Sequence, residues 1–313
     1  MPNRNISFPA KDLPLREDVG TLGRMVGEVL QEQCGDALYE QVEAIRSSTI
    51  QRREAGVADL EPVERAIGQP DAMSSRQLVR AFSTYFQVTN LAELVHRIRR
   101  IREVLHAGDE LTGSLNDAFA QLRASGVSDA QLEGLLERLL IEPVMTAHPT
   151  EATRRSLLEK ERSVIKRLAE RLDPGRTPDE ERVALERIRQ QITVAWQTRH
   201  YAAMRPSVAT ERAHILFYIA ETLYDIVPVY YESLRRALDQ HFPAVLQSTP
   251  LPIMLRFGSW VGGDMDGNPN VDHTTIRASL EEHRRRIIGR YIPDARHLAR
   301  ELSPVSYTHL RAH

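Results

Sequence analysis

The sequence predicts a mainly α-helical protein carrying elements of a (β/α) barrel: an N-terminal helical region followed by the first two barrel strands. Three observations predict it. Long stretches repeat apolar residues every three or four positions, the period of amphipathic helices. Two short apolar runs, 139–145 and 253–257, have strand length, and each opens into a loop dense in polar groups. More than 100 residues of helical pattern separate the two runs. Functional groups at the C-terminal ends of strands mark (β/α) barrels. The chain therefore divides into an arm at 1–14, a helical region at 15–140, and the first two barrel strands with a large helical insertion at 141–304.

In chain order, residues 1–14 hold three prolines and no periodicity. Residues 15–47 place Val19, Leu22, Val26, Val29, Leu30, Leu38, Val42 and Ile45 on one face of a long helix. Cys34 falls on that face as a small buried thiol. Gly20, Gly23, Gly27 and Gly35 weaken this helix and permit close packing. Residues 59–70 carry turn and cap signals. The next helix, 74–105, has apolar Leu78, Phe82, Tyr85, Phe86, Leu91, Leu94, Val95, Ile98 and Ile101, and a basic end at Arg97, Arg99, Arg100 and Arg102. That end complements the helix dipole. Residues 113–139 read as a helical hairpin, capped by Ser114 and Ser128 and interrupted by Gly126.

The run 139–145 reads as a buried strand, and Val144-Met145-Thr146-Ala147-His148-Pro149-Thr150 leads out of it. Pro149 ends a ladder because it has no N–H. Thr150 is a good N-cap for the next helix, Glu151 suits its first turn, and Arg154 and Arg155 follow one turn later. A titratable ring, hydroxyls, helix N-terminal amides and two guanidinium groups are the equipment for holding an anion and moving a proton. A histidine beside proline at a strand end is, taken alone, more often a turn residue.

Helices over 151–172 and 178–201 follow, joined by the Asp173-Pro174-Gly175 turn. A third long helix spans 208–241, kinked by Pro228. After a turn at 249–252, the run 253–257 opens into the loop 258–270, with four glycines, Asp264, Asp266 and Trp260. A helix over 274–302 follows. The loop starts like a calcium loop, but Pro269 and Thr275 occupy the glycine and glutamate positions such a loop requires. Its glycine spacing fits neither a Walker loop nor a dinucleotide fingerprint.

The 313 residues, 42% hydrophobic and 27% charged, with a net charge of −2, suit a globular protein and argue against nucleic-acid and membrane partners. The single cysteine suits a reducing, cytoplasmic setting, and the N-terminus lacks a signal-peptide core.

Thr146, Ala147, His148, Pro149, Thr150, Glu151, Arg154 and Arg155 together resemble the N-terminal active-site signature of phosphoenolpyruvate carboxylases. The segment 88–100 is similar to a helix of that family. The loop from Phe257 through Pro269 resembles its Gly-Ser-Trp loop, with Met265 where an arginine is common. Trp196, Arg205 and Pro206 agree as well, whereas Arg199, His200 and Tyr201 depart from a frequent acidic pair. The resemblance covers roughly 15–303. Residues 305–313 read as a tail foreign to it.

The resemblance implies a lyase that joins phosphoenolpyruvate and bicarbonate into oxaloacetate and phosphate, through carboxyphosphate and the pyruvate enolate. It implies His148 as the catalytic group that accepts the carboxyl proton of carboxyphosphate. It implies Trp260 as a lining of the apolar pocket around the substrate methylene. Arg154 and Arg155 fall on the substrate side, where they set the field of the site or hold structural carboxylates. It further implies Mg²⁺ or Mn²⁺ with ligands outside this chain, allosteric control, and a cytoplasmic homotetramer. On this reading the chain is an inactive, loosely packed fragment. The competing readings are a non-catalytic helical scaffold derived from the same family, and a phosphotransferase with a phosphohistidine, which would need His148 in a glycine-rich setting.

Overall fold

The computed structural model describes residues 9–146, 155–198, 207–248, 250–265 and 267–302, with Arg155 and Ser248 described by backbone alone. The protein is mostly helical. It forms two compact units, one from Met1–Asp109 with Thr153–Tyr201 and the other from Glu110–Ala152 with Ala202–His313.

In the first unit the helix predicted over 15–47 is two helices, α1 (Leu13–Cys34) and α2 (Asp36–Ala55). Gly35 separates them with φ +87°, a conformation only glycine adopts without strain. The break lets α2 fold back on α1. A Cβ on Gly27 would lie 3.0 Å from Tyr39 Cε2, and one on Gly23 3.2 Å from Tyr85 Cε2. These glycines cost helix propensity but let aromatic rings of α2 and α4 (Ala72–His106) approach the α1 backbone. Within the predicted turn region, α3 (Glu61–Ile67) forms a short helix ended by Gly68 at φ +67°. Asp71 caps α4, accepting from Ser74 N at 2.7 Å.

Helices α7 (Arg155–Glu170) and α8 (Pro178–Gln197) complete this unit. One core joins Leu22, Val26 and Val29 of α1, Val42 of α2, Leu78 and Val95 of α4, Leu168 of α7, and Ile188 and Trp196 of α8. Each fully buried Leu, Ile or Val contributes about 1.5–3 kcal/mol. Cys34 packs at the edge of this core, half-buried, and burial raises its thiol pKa.

Two features of α4 go beyond its sequence pattern. Its apolar residues occupy two faces: Leu78, Val88 and Val95 are buried, whereas Phe86, Leu94 and Ile101 are exposed. Its basic end does more than complement a dipole. Arg99 Nη2 donates to Asp18 Oδ2 at 2.7 Å, and Arg171 Nη1 donates to Asp18 Oδ1 at 3.0 Å. Asp18, 6% exposed, thus binds α4 and the segment after α7 to α1.

In the second unit, α5 (Leu115–Ala124) and α6 (Asp129–Leu136) form the predicted hairpin. Ser114 accepts from Asp117 N at 3.1 Å, Ser128 closes a capping box with Gln131, and Gly126 turns at φ +85°. The helix predicted over 208–241 is interrupted. It comprises α9 (Val208–Tyr218), a π turn (Ile219–Leu223) and α10 (Tyr224–His241). Pro228 cannot donate a helical hydrogen bond and crowds the carbonyl of Tyr224, and the wider turn stands immediately ahead of that strain. A short helix, α11 (Pro243–Ser248), follows, and α12 (His273–Glu301) is the last described element. Phe119, Leu132, Leu234, Leu238, Phe242 and Met254 form the core here.

Two strands pair in parallel: β1 (Val144–Met145) with β2 (Gly258–Ser259), Val144 opposite Gly258 and Met145 opposite Ser259. The ladder reaches further back. Ile141 N donates to Met254 O at 2.7 Å and Arg256 N donates to Ile141 O at 3.0 Å. Pro143 accepts from Gly258 N at 3.0 Å but cannot donate, so regular pairing lapses there. The strand at 139–145, predicted as buried, exposes Ile141 by 38% and Val144 by 51%. The reason is that the sheet has only two strands among the described residues, so neighbours cover neither outer edge.

Candidate functional site

The site is built where the two strands end. Because β1 and β2 run parallel, the loops that follow them leave from the same end of the sheet. Trp260 N donates to Met145 O at 2.9 Å, tying the start of one loop to the end of the other strand. Met145 and the Phe257 segment therefore lie on neighbouring parallel strands, as the strand–loop pattern predicts.

The loop after β2 is braced from within. Ser259 Oγ accepts from Val261 N at 3.2 Å, and Gly263 N donates to Trp260 O at 3.0 Å, closing a tight turn. Val261 and Val271 are buried and pin the two ends of the loop. Asp264 Oδ1 accepts from Gly267 N at 3.3 Å. Asn268 Oδ1 accepts from Asn270 N at 3.0 Å. Asp272 then caps α12. It accepts from Thr275 N at 2.9 Å and from the Thr274 and Thr275 hydroxyls, bonds that hold its carboxyl far below the usual range. The side chains of Trp260 and Met265 stand out from this frame, 57% and 59% exposed.

Behind the loop, Gly262 takes φ +80° and passes directly over Ser279 of α12. Ser279 is 5% exposed; its hydroxyl lies 2.8 Å from Thr275 O and 3.3 Å from Gly262 O, and it accepts from Arg212 Nη1 of α9 at 3.0 Å. His283 sits one turn further along α12. Its Nε2 is buried without a partner among the described residues, and burial, aided by the Arg212 charge, lowers its pKa. Burial alone lowers that of His214 and raises that of Glu211, both on α9.

Among the residues predicted for function, Trp260 lies on this loop, 57% exposed. His148 and Arg154 lie outside the described residues, as do Thr150, Glu151 and Asp266. Arg155 opens α7, with its backbone alone described. Sequence reading missed Arg212 and Ser279, which meet across 67 residues and leave no local signal. It also missed Asp272 as a cap, although an aspartate three residues before Thr275 at a helix start is a legible one.

The sequence model of the phosphoenolpyruvate carboxylase family matches residues 15–312. The phosphoenolpyruvate carboxylases of Xanthomonas oryzae pv. oryzae and Xanthomonas campestris pv. campestris are each 44% identical to this chain over 301 residues. That span is 96% of this chain and 33% of theirs. The phosphoenolpyruvate carboxylase of Azorhizobium caulinodans is 36% identical over 302 residues, 94% of this chain and 32% of its own. The chain thus spans about a third of the length of the curated relatives it matches.

Proposed function

The chain belongs to the phosphoenolpyruvate carboxylase family, and from that premise we propose that it is the histidine-bearing part of an enzyme that makes oxaloacetate and phosphate from phosphoenolpyruvate and bicarbonate. The observation that carries this reading is the parallel ladder ending in the bond from Trp260 N to Met145 O. It supports a shared site because His148 follows Met145 by three residues in the sequence. In the reading, β1 and β2 begin a (β/α) barrel whose functional loops gather at one end.

The chemistry then divides among residues. Bicarbonate attacks the phosphoryl group, giving carboxyphosphate and the pyruvate enolate. His148 accepts the carboxyl proton of carboxyphosphate as it breaks to carbon dioxide and phosphate; an imidazole suits that task near neutral pH. The indole of Trp260 lines the space around the substrate methylene and keeps water from protonating the enolate. Arg154 and Arg155 add positive potential on the substrate side. Mg²⁺ or Mn²⁺ belongs to the reading as the charge that neutralises the transferring phosphoryl group, with ligands in sequence beyond this chain. Among the described residues no three His, Cys, Asp or Glu side chains gather to hold a metal ion, and no step here is routed through one. A cytoplasmic, allosteric homotetramer is part of the same proposal. Among the described residues no helix is long and apolar enough to cross a membrane.

The test is His148→Asn in the gene-length enzyme. Bicarbonate-dependent hydrolysis of phosphoenolpyruvate persists and oxaloacetate is lost, because the first step keeps its groups and the last loses its proton acceptor. Normal oxaloacetate output from this variant overturns the assignment.

A further inference from the structure

We infer that the first unit carries an anion site of its own, in the cleft beside the α7–α8 turn, and that its ligand is a small polyanion bearing phosphoryl groups. The cleft is open to solvent and has a volume of about 1020 Å³. Six cationic side chains line it: Arg102 of α4, Lys166 and Arg167 of α7, Arg176 of the turn, and Arg182 and Arg187 of α8. Four carboxylates line it too, so the balance of charge depends on what those carboxylates already hold.

All four are engaged. Glu170 accepts from Arg167 Nη1 at 2.8 Å and lies 3.9 Å from Arg176 Nη1. Asp173 Oδ1 accepts from Gly175 N at 2.9 Å. Asp179 pairs with Arg182 at 3.3 Å. Glu180 accepts from Thr177 N at 2.8 Å and Thr177 Oγ1 at 2.9 Å in the capping box of α8. Among the described residues Arg102 and Lys166 pair with no carboxylate, and the bond from Arg187 is a long one, 3.4 Å to Gln190 Oε1. Arg176 donates to Glu180 O at 2.6 Å, yet its Nε is buried with no acceptor among the described residues.

The donor set selects the ligand. Guanidinium forks match the tetrahedral oxyanions of a phosphoryl group in a bidentate manner, and an ammonium adds a point charge. Among the described residues no aromatic side chain lines the cleft to stack a base. A compact phosphoryl compound fits better than a nucleotide or a nucleic acid.

The experiment is calorimetric titration of the 313-residue chain with sodium pyrophosphate at low ionic strength. Saturable binding at one site is expected. Lys166→Gln with Arg187→Gln weakens it about tenfold, the loss of two charge-assisted contacts. Both side chains are exposed, so the variant keeps its fold, which its thermal melt checks. Arg235→Gln with Arg236→Gln removes the same charge from an exposed face of α10 in the other unit and leaves the affinity unchanged. Absence of saturable binding, or equal weakening by the two pairs, overturns the site; equal weakening reveals attraction to net charge alone.

Discussion

Gly262 and Ser279 are in contact so close that a Cβ on the glycine would lie 2.3 Å from the serine Oγ. Two separate penalties therefore meet in Gly262→Ala. One is the positive φ, about 1–2 kcal/mol for a residue with a Cβ. The other is the collision with a buried hydroxyl that Arg212 also holds. Gly262→Ala is expected to destabilise the second unit by roughly 2–4 kcal/mol. Adding Ser279→Gly recovers the collision and leaves the backbone strain. A double-mutant cycle in urea reads the difference, and zero coupling between the two positions refutes the contact.

Asp18 is the second point of leverage. It is buried and accepts from Arg99 and Arg171, and Arg171 Nε also donates to Glu181 Oε1 at 2.6 Å. Asp18→Leu removes the carboxylate that Arg99 and Arg171 share, leaving Arg171 with Glu181 and the largely buried Arg99 guanidinium without its Asp18 partner. The expected loss is about 3–5 kcal/mol, confined to the first unit. Because the pair is shielded from solvent, the loss persists at high salt. Urea titration by circular dichroism at low and high salt checks both statements, and a loss below 1 kcal/mol contradicts this role.

His283 and His214 give the second unit a pH dependence with a definite sign. Both have folded pKa values below the usual 6.5, chiefly through burial. The unfolded chain then takes up protons that the folded chain refuses, so stability falls as pH drops through the unfolded value. Glu211, raised by burial, works in the opposite sense but in the carboxylate range. The window therefore opens at the unfolded value of 6.5 and extends downward from it. Both rings are partly exposed, and solvent screening keeps the joint effect below about 1 kcal/mol. A series of thermal melts across this window shows the decline, and His214→Gln with His283→Gln flattens it. An unchanged slope in the double variant rules these rings out as its source.

What was legible in the sequence was what the chain settles locally. Ser114 and Ser128 cap their helices because a hydroxyl and an amide three residues on need nothing else. The parallel pairing at Met145 was legible because strand–loop–helix order constrains topology. Gly35 was not, since apolar spacing runs unbroken through it and the break lies in a backbone angle. Which apolar residues of α4 are buried was not legible either: Leu78 and Val95 are buried and Phe86 is exposed, and periodicity alone cannot tell which side meets a neighbour. The bond from Arg171 to Asp18 spans 153 residues, beyond any local pattern. In the candidate site the motif residues were legible, while Arg212 and Ser279, which hold the loop from behind, were not.

The exposure of Trp260 leads to the last prediction. In this chain its indole is 57% exposed, whereas Trp196, the other tryptophan, is 5% exposed. Acrylamide should quench two populations of fluorescence, and Trp260→Phe should remove the accessible one. A single buried population would contradict the placement of the loop. The same exposure bears on catalysis. An enolate persists only where water is kept from its methylene carbon, and a ring open to solvent on one side provides no dry pocket. Phosphoryl transfer also needs cationic groups and a metal to neutralise the moving charge. The 313-residue chain alone is therefore expected to form no oxaloacetate. The measurement couples oxaloacetate to malate dehydrogenase in the presence of phosphoenolpyruvate, bicarbonate and Mg²⁺. Turnover above a His148→Ala control would show that this third of the family's length closes its own site and that the chemistry needs less cover than Trp260 suggests.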